Sequence, residues 1–376
     1  MTRPPSVVRH APGKLFVAGE YAVVEPGTPA ILVAVDRYVT VTVSGSGNGD
    51  GDGDVVISSD LGPYRTHFQW REGRLGRHGA GDGWSPHGAR SHVVSATETV
   101  GRLLTERGLS VPALSISVSS ALHEGGTKFG LGSSGAVTVA TVEAVASFCG
   151  LALTAEDRFR LAVLATAGID ARASCGDLAA STWGGWIEYR SPDRAAVLDL
   201  ARRRGVEETL RAPWPGFAVR RLPPPQGLSL EVGWTGKPAS TTSLVSGLDR
   251  RRAWRGSTSH QRFLETTTDC VDTAIAALRR GDRHDLLHRI RRARQELARL
   301  DDEVGLGIFT TELTALCDVA EAEGGAAKPS GAGGGDCGIA LLDTEASSDT
   351  ARLRERWTEA GVRPLPIRPA MERNEE

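Results

Sequence analysis

Lysine is the scarce base of this chain. Of 44 basic residues only Lys14, Lys128, Lys237 and Lys328 are lysines, and the other 40 are arginines. A lysine kept in so arginine-rich a sequence marks a place that needs a compact, rotatable ammonium, unless the four are left by chance. Two of them open glycine-rich runs. In KFGLGSSGA (128–136) three glycines and two serines crowd the start of a helical pattern. Glycines let backbone approach a ligand closely, and the free N–H groups at a helix start favour an anion. Ser133 and Ser134 add hydroxyls for phosphate or Mg²⁺. A plain helix N-cap would account for one serine and one glycine, so phosphate binding is the better reading. The second run, KPSGAGGGD (328–336), ends where a strand begins, which suits close backbone approach to a ligand or to another loop.

Other chemistries fail on context. There is no G-x-x-x-x-G-K-[ST], so an ordinary P-loop is excluded. Gly130, Gly132 and Gly135 do spell G-x-G-x-x-G, but ten residues separate this turn from the preceding strand, and the residues near 155 read as helix. A dinucleotide site needs a strand on both counts. The H-R-D and D-F-G signatures of protein kinases are absent, Ser133 lacks the G-x-S-x-G frame of a hydrolase, and no H-E-x-x-H or His/Cys cluster occurs. Asn48, Asp50, Asp52 and Gly53 imitate a calcium loop, yet its twelfth position is Ser59 rather than glutamate, so GSGNGDGDGD reads as a hairpin tip.

These turns must be held by strands and helices in alternation. Residues 15–18, 30–35 and 38–43 read as strands, the last from its β-branched alternation. Helical periodicity follows at 91–107, 136–148 and 155–167, with strands at 114–118 and 186–189. Prolines at 213, 215, 223, 224 and 225 mark a boundary. Beyond it come a strand at 228–234, helices near 257–280, 283–300 and 310–323, a strand at 339–342, and a final helix and strand. The chain is therefore α+β in two parts, taken as residues 1–215 and 216–376, a division its 376 residues allow. Hydrophobic residues make up 40% and the net charge is −2, which supports a real core and argues against a general nucleic-acid binder. Five scattered cysteines, no apolar leader and no membrane-length apolar run fit a reducing cytoplasm.

Three segments together resemble the GHMP kinases, the superfamily of galactokinase, homoserine kinase, mevalonate kinase and phosphomevalonate kinase. They are APGKLFVAGEYAVV (11–24), KFGLGSSGAVTVAT (128–141) and KPSGAGGGDCGIAL (328–341), and CGDLAASTWGG (175–185) is similar to that family's catalytic-aspartate segment. The resemblance implies a two-domain GHMP kinase fold, with a ribosomal-protein-S5-like N-terminal domain and a ferredoxin-like C-terminal one. It implies ATP phosphates on Gly130, Leu131, Gly132, Ser133, Ser134 and Gly135, with Mg²⁺ held by Ser134 or Ser133. Lys14 and Asp177 would face the transferring phosphoryl, together with Lys128. Tyr21, Ser240, Ser330, Gly331 and Ala332 would contact the acceptor. Lys237 reads as a surface residue.

Gly19-Glu20-Tyr21 stands where mevalonate kinases usually have G-E-H. With Lys-Phe before the glycine turn, GWTGKPAST (233–241) and SGAGGGDCG, the details are most similar to the phosphomevalonate kinases. The implied substrates are ATP and 5-phosphomevalonate, with no nucleic acid or membrane partner and either a monomer or a homodimer. The alternatives are an alcohol acceptor, as in mevalonate kinase, and a silent ligand sensor, which should have lost Lys14 and Asp177. The metal-ligating glutamate common in the family is replaced here by Thr166, with Glu156 and Asp157 the only acids in that helix. Asp177 also suits a helix N-cap. A phosphomonoester acceptor has its second pKa at about 6 and needs little help losing a proton, so Lys14 and Lys128 should outweigh Asp177.

Overall fold

The computed structural model describes residues 6–45, 54–60, 62–71, 73–77, 89–239, 254–344 and 347–373. Strands β1 (Val7–Ala18) and β2 (Pro29–Gly45) are antiparallel and carry the first sheet. β2 is buried on both faces over 29–35 and alternates from Val39 on, because the chain covers its first half completely and its second half on one side. β3 (Asp54–Ser59), β4 (Gly62–Arg71), β5 (Arg74–Arg77), β6 (Leu114–Ser120), β9 (Trp186–Arg190) and β10 (Ala218–Leu222) complete eight strands in the order β10-β9-β2-β6-β3-β4-β5, with β1 on β2. β6 lies between β2 and β3, so the glycine- and aspartate-rich link does not join a hairpin. Its calcium-like positions 48–53 lie outside the described residues. A short hairpin, β7 (His123–Glu124) and β8 (Thr127–Lys128), leads into the glycine turn.

Helices α1 (Ala89–Glu106), α2 (Ser133–Phe148), α3 (Ala155–Ile169) and α4 (Gly176–Trp183) cover the sheet. α2 is buried all round from Gly135 to Val142, which explains its glycine, alanine, valine and threonine content. Thr138 and Thr141 satisfy their buried hydroxyls on the carbonyls of Ser134 and Val137, at 2.8 and 2.7 Å. α2 begins at Ser133, three residues before the periodic pattern, so both serines sit in its first turn.

The second sheet is antiparallel, in the order β12 (Ala326–Pro329), β13 (Cys337–Asp343), β11 (Leu228–Trp234), β14 (Arg363–Leu365). Helices Thr258–Arg280, Arg283–Val304, Thr311–Ala322 and Ser347–Glu359 accompany it. The first sheet takes β10 from beyond residue 215, and the chain end returns to it: Pro369 bridges Val35 and Glu372 bridges Gly184. No helix among the described residues is long and apolar enough to cross a membrane.

The halves are joined by groups of the segments 11–24 and 328–341 that would otherwise be buried and unpaired. Lys328, with no exposed surface, forms an ion pair with Glu20, itself 3% exposed, and gives a second bond to the Pro329 carbonyl at 2.7 Å. Ser330 accepts from the Phe16 N–H at 2.8 Å and donates to the Phe16 carbonyl at 3.0 Å. Tyr21 and Ala22 pack among Trp254, Phe263, Leu297 and Ile308 of the C-terminal part. Removing one member of a buried pair strands the other charge. Lys328→Met is therefore expected to destabilise the protein by about 3–5 kcal/mol, and Lys328→Met with Glu20→Leu by much less. Denaturant unfolding of the two variants checks this.

Candidate active site

The glycine turn lies where β1, α2, α4 and the 330–336 loop meet. The Lys14 N–H donates to the Leu131 carbonyl at 2.8 Å, which fastens the turn to β1. Gly130 and Gly132 are left-handed, with φ of 80° and 75°, as few other residues tolerate. Gly132 is the N-cap of α2 and brings no side-chain cap, so the first-turn N–H groups of a 16-residue helix point out of its end. The hydroxyls of Ser133 and Ser134 make no hydrogen bond among the described residues. Gly132 holds the cap position, so no serine caps this helix, and its first-turn serines are half-exposed.

Each glycine of G-x-G-x-x-G makes room for one charged side chain. A Cβ on Gly130 would overlap the Asp336 carboxylate. One on Gly132 would lie 2.9 Å from Lys14 Cε, and one on Gly135 would lie 2.6 Å from Asp177 Cγ. Three segments far apart in sequence thus place a cation and two carboxylates around one turn.

Lys14 is 7% exposed, and its ammonium donates only to the Gly130 carbonyl, at 3.4 Å, with no ion pair among the described residues. Burial lowers its pKa, while the carboxylates of Asp177, Asp336 and Glu20 act the other way. Asp177 is half-buried in the first turn of α4, where Cys175, not Asp177, is the N-cap. Its Oδ1 accepts from the Leu178 N–H at 3.0 Å. The helix is held in place by Ser181, which donates to the Pro12 carbonyl at 2.7 Å, and by Tyr189, which donates to the Ser174 carbonyl at 2.6 Å.

Lys128 is exposed at the end of β8, paired in register with His123. Gly331 faces Lys14, since a Cβ there would be 3.9 Å from Nζ. Tyr21 donates its hydroxyl to the Ala332 carbonyl at 2.5 Å, and the Ser330 hydroxyl is spent on Phe16. In this arrangement both hydroxyl protons are engaged within the protein, which leaves the lone pairs of these oxygens for a ligand. Ser240 lies outside the described residues. Lys237 is a surface residue paired with Glu312 at 2.5 Å.

Two residues escaped sequence reasoning. Asp336 stands beside Gly130 at a left-handed φ of 54°, and its place after three glycines was the available signal. His92, on α1, lies 3.2 Å from the Thr138 hydroxyl. That hydroxyl donates to the Ser134 carbonyl, which leaves it a lone pair for the ring nitrogen. Burial lowers the His92 pKa, with Asp177 opposing and Lys128 adding to the effect. A lone histidine on a helix gave no signal. In α3, Asp157 completes a capping box with Thr154, Glu156 pairs with Arg160, and the Thr166 hydroxyl is buried without a partner, so this helix supplies no metal-binding carboxylate. Burial also pushes the thiols of Cys149 and Cys270 up to about 11, which leaves them unreactive near neutral pH.

The family model described as GHMP kinases N terminal domain matches residues 91–185, and GHMP kinases C terminal matches residues 274–360. The phosphomevalonate kinase of Streptomyces sp. (strain CL190) is 71% identical over 367 residues, 98% of each chain. The solved Lin0012 protein from Listeria innocua has a TM-score of 0.86 at 31% identity, covering 98% of this chain and 99% of that one. Streptococcus pneumoniae phosphomevalonate kinase, solved with phosphomevalonate and AMPPNP, has a TM-score of 0.82 at 26% identity over 96% of this chain and 99% of its own.

Gly135 has an ordinary backbone, so Gly135→Ala should fold while displacing the Asp177 carboxylate. A displacement of about 1 Å at such a centre is expected to lower turnover about 10–100-fold with little change in Tm. Steady-state kinetics beside a thermal melt tests this.

Proposed function

The chain belongs to the GHMP kinases, and we infer from that membership that it transfers the γ-phosphoryl group of ATP to 5-phosphomevalonate, giving ADP and 5-diphosphomevalonate. The reaction type rests on one observation: the uncapped start of α2 faces a buried, under-bonded lysine and two carboxylates across three glycines. The acceptor follows from 71% identity over nearly the whole chain to a phosphomevalonate kinase.

Both reactants are anions. Two like unit charges about 4 Å apart cost about 4 kcal/mol at an effective dielectric of about 20, so a dianionic acceptor beside a triphosphate needs cations more than it needs a base. The N–H groups of Ser133, Ser134 and Gly135 take the ATP phosphates. Lys14, buried and holding one 3.4 Å bond, has donors free for the transferring phosphoryl. Lys128, exposed at the mouth, meets the acceptor phosphate. Asp177 holds Lys14 in its charged form from α4 rather than removing a proton, because the acceptor phosphate is already ionised. Ser330 and Tyr21 act indirectly, by fixing β1 and the 330–336 loop to each other.

Mg²⁺ suits the donor set. The two free serine hydroxyls at the anion cradle would hold it through Ser134 or Ser133, with the rest of its shell from ATP oxygens and water, as this ion accepts. When bound it neutralises phosphate charge.

A coupled ADP-release assay with 5-phosphomevalonate, mevalonate, galactose and homoserine tests the reading. Turnover with 5-phosphomevalonate alone is expected, and turnover with mevalonate instead would restore Asp177 as a base. Lys14→Ala should lower kcat about 10²–10³-fold, as for loss of a charge-stabilising donor. Asp177→Asn should cost about tenfold or less, and the reverse order in folded variants would refute the assignment. The lowered pKa of Lys14 adds a pH signature. The ammonium is the active form, so kcat should fall with rising pH at a value below the ordinary lysine range near 10.5, and a rate flat to that pH would contradict it.

A further inference from the structure

A half-buried carboxylate is an odd neighbour for two phosphate groups, and Asp336 is such a neighbour. It is built in with care. Its φ of 54° is one that non-glycine residues seldom hold. Its N–H donates to the Lys237 carbonyl at 2.8 Å and its own carbonyl accepts from the Thr235 N–H at 2.9 Å. Oδ1 accepts from the Ala239 N–H at 3.0 Å, and the rest of the carboxylate lies against Gly130. The next residue, Cys337, reaches the Phe129 carbonyl with its thiol at 3.0 Å. One residue of the C-terminal part therefore touches the phosphate turn and anchors the segment at 235–239.

We propose that Asp336 is a positioning residue for the transfer: wedged against Gly130, its carboxylate orients the ammonium groups of Lys14 and Lys128 and fixes the 235–239 segment against the phosphate turn. Burial pushes its carboxyl up, while the Ala239 N–H, Lys14 and Lys128 act against that rise. The interaction is mutual, since Asp336 also supports the charged form of Lys14. A carboxylate that served only as a loop anchor would need its hydrogen bond to Ala239 but not its charge.

The inference rests on the phosphoryl-transfer reading, so parent and variants are assayed together. Asp336→Asn keeps an oxygen for Ala239 and tolerates the left-handed backbone, but carries no charge. Asp336→Gly fits the backbone and removes the side chain. For each protein kcat, both KM values, the Tm and calorimetric binding of 5-phosphomevalonate are measured. A lost positioning charge should appear in the Asn variant as a fall in kcat of about tenfold or more with both KM values within about threefold and the Tm unchanged. The acceptor should bind as tightly as before or more tightly, because one repelling charge is gone. The Gly variant should lose at least as much. A smaller loss in the Asn variant overturns the proposal, as does a loss expressed as higher KM for both substrates with a lower Tm, which marks a fold anchor. A parent silent with 5-phosphomevalonate would bring down the reaction reading and this inference together. A working parent beside an unaffected Asn variant would bring down the inference alone.

Discussion

A lysine ammonium taken out of water must find partners or surrender its charge. Lys14 has been taken out of water and left with one long bond to a carbonyl, while carboxylates act on it from beyond contact distance. The cleft is organised around keeping that cation charged without saturating it. Closer carboxylates would neutralise it, and none would let burial win. Asp177 from α4 and Asp336 from the 330–336 loop stand at the intermediate range, each seated on a different glycine of the turn that Lys14 itself presses against. The glycines are thus required by the charged side chains seated on them.

Lys328 shows the contrast. It is equally remote from solvent but fully occupied, by Glu20 and by the Pro329 carbonyl. One buried lysine is fully paired and fastens the halves, whereas the other has one long hydrogen bond and a place over the Phe16 ring. The two lie in segments that also share the Ser330 to Phe16 bonds, so the clasp and the reactive group are mechanically one unit. Moving the 330–336 loop would disturb Lys14 through β1.

The anion cradle follows the same economy of partners. α2 starts without a side-chain cap, and its first-turn serines keep their hydroxyls free, although an N-cap serine or aspartate would stabilise the helix by about 1 kcal/mol. The helix tolerates the omission because it is buried on all sides from Gly135 to Val142 and is held by packing rather than by its end. Local stability is given up where a ligand is to bind, and the core on either side makes up the difference.

Much of this was legible in the sequence. Glycine, serine and lysine in one turn announce an anion site because few other reasons bring them together, and β-branched alternation and helical periodicity located most elements to within a few residues. The α+β class followed from these local patterns, and the family from the resemblance of four segments to the GHMP kinases. What the sequence could not carry was anything set by side chains meeting across the fold. Lys328 and Lys14 look alike in a string of letters, and only burial beside Glu20 separates the clasp from the reactive group. Ser330 and Tyr21 read as ligand contacts, and only the fold shows that their hydroxyl protons go to Phe16 and Ala332. Asp336 and His92 stayed hidden because a carboxylate or imidazole takes its meaning from neighbours hundreds or tens of residues away. Local spacing fixes which backbone can form and which groups are available. Desolvation and long-range contact, which exist only in the folded chain, decide which of those groups remain free to act.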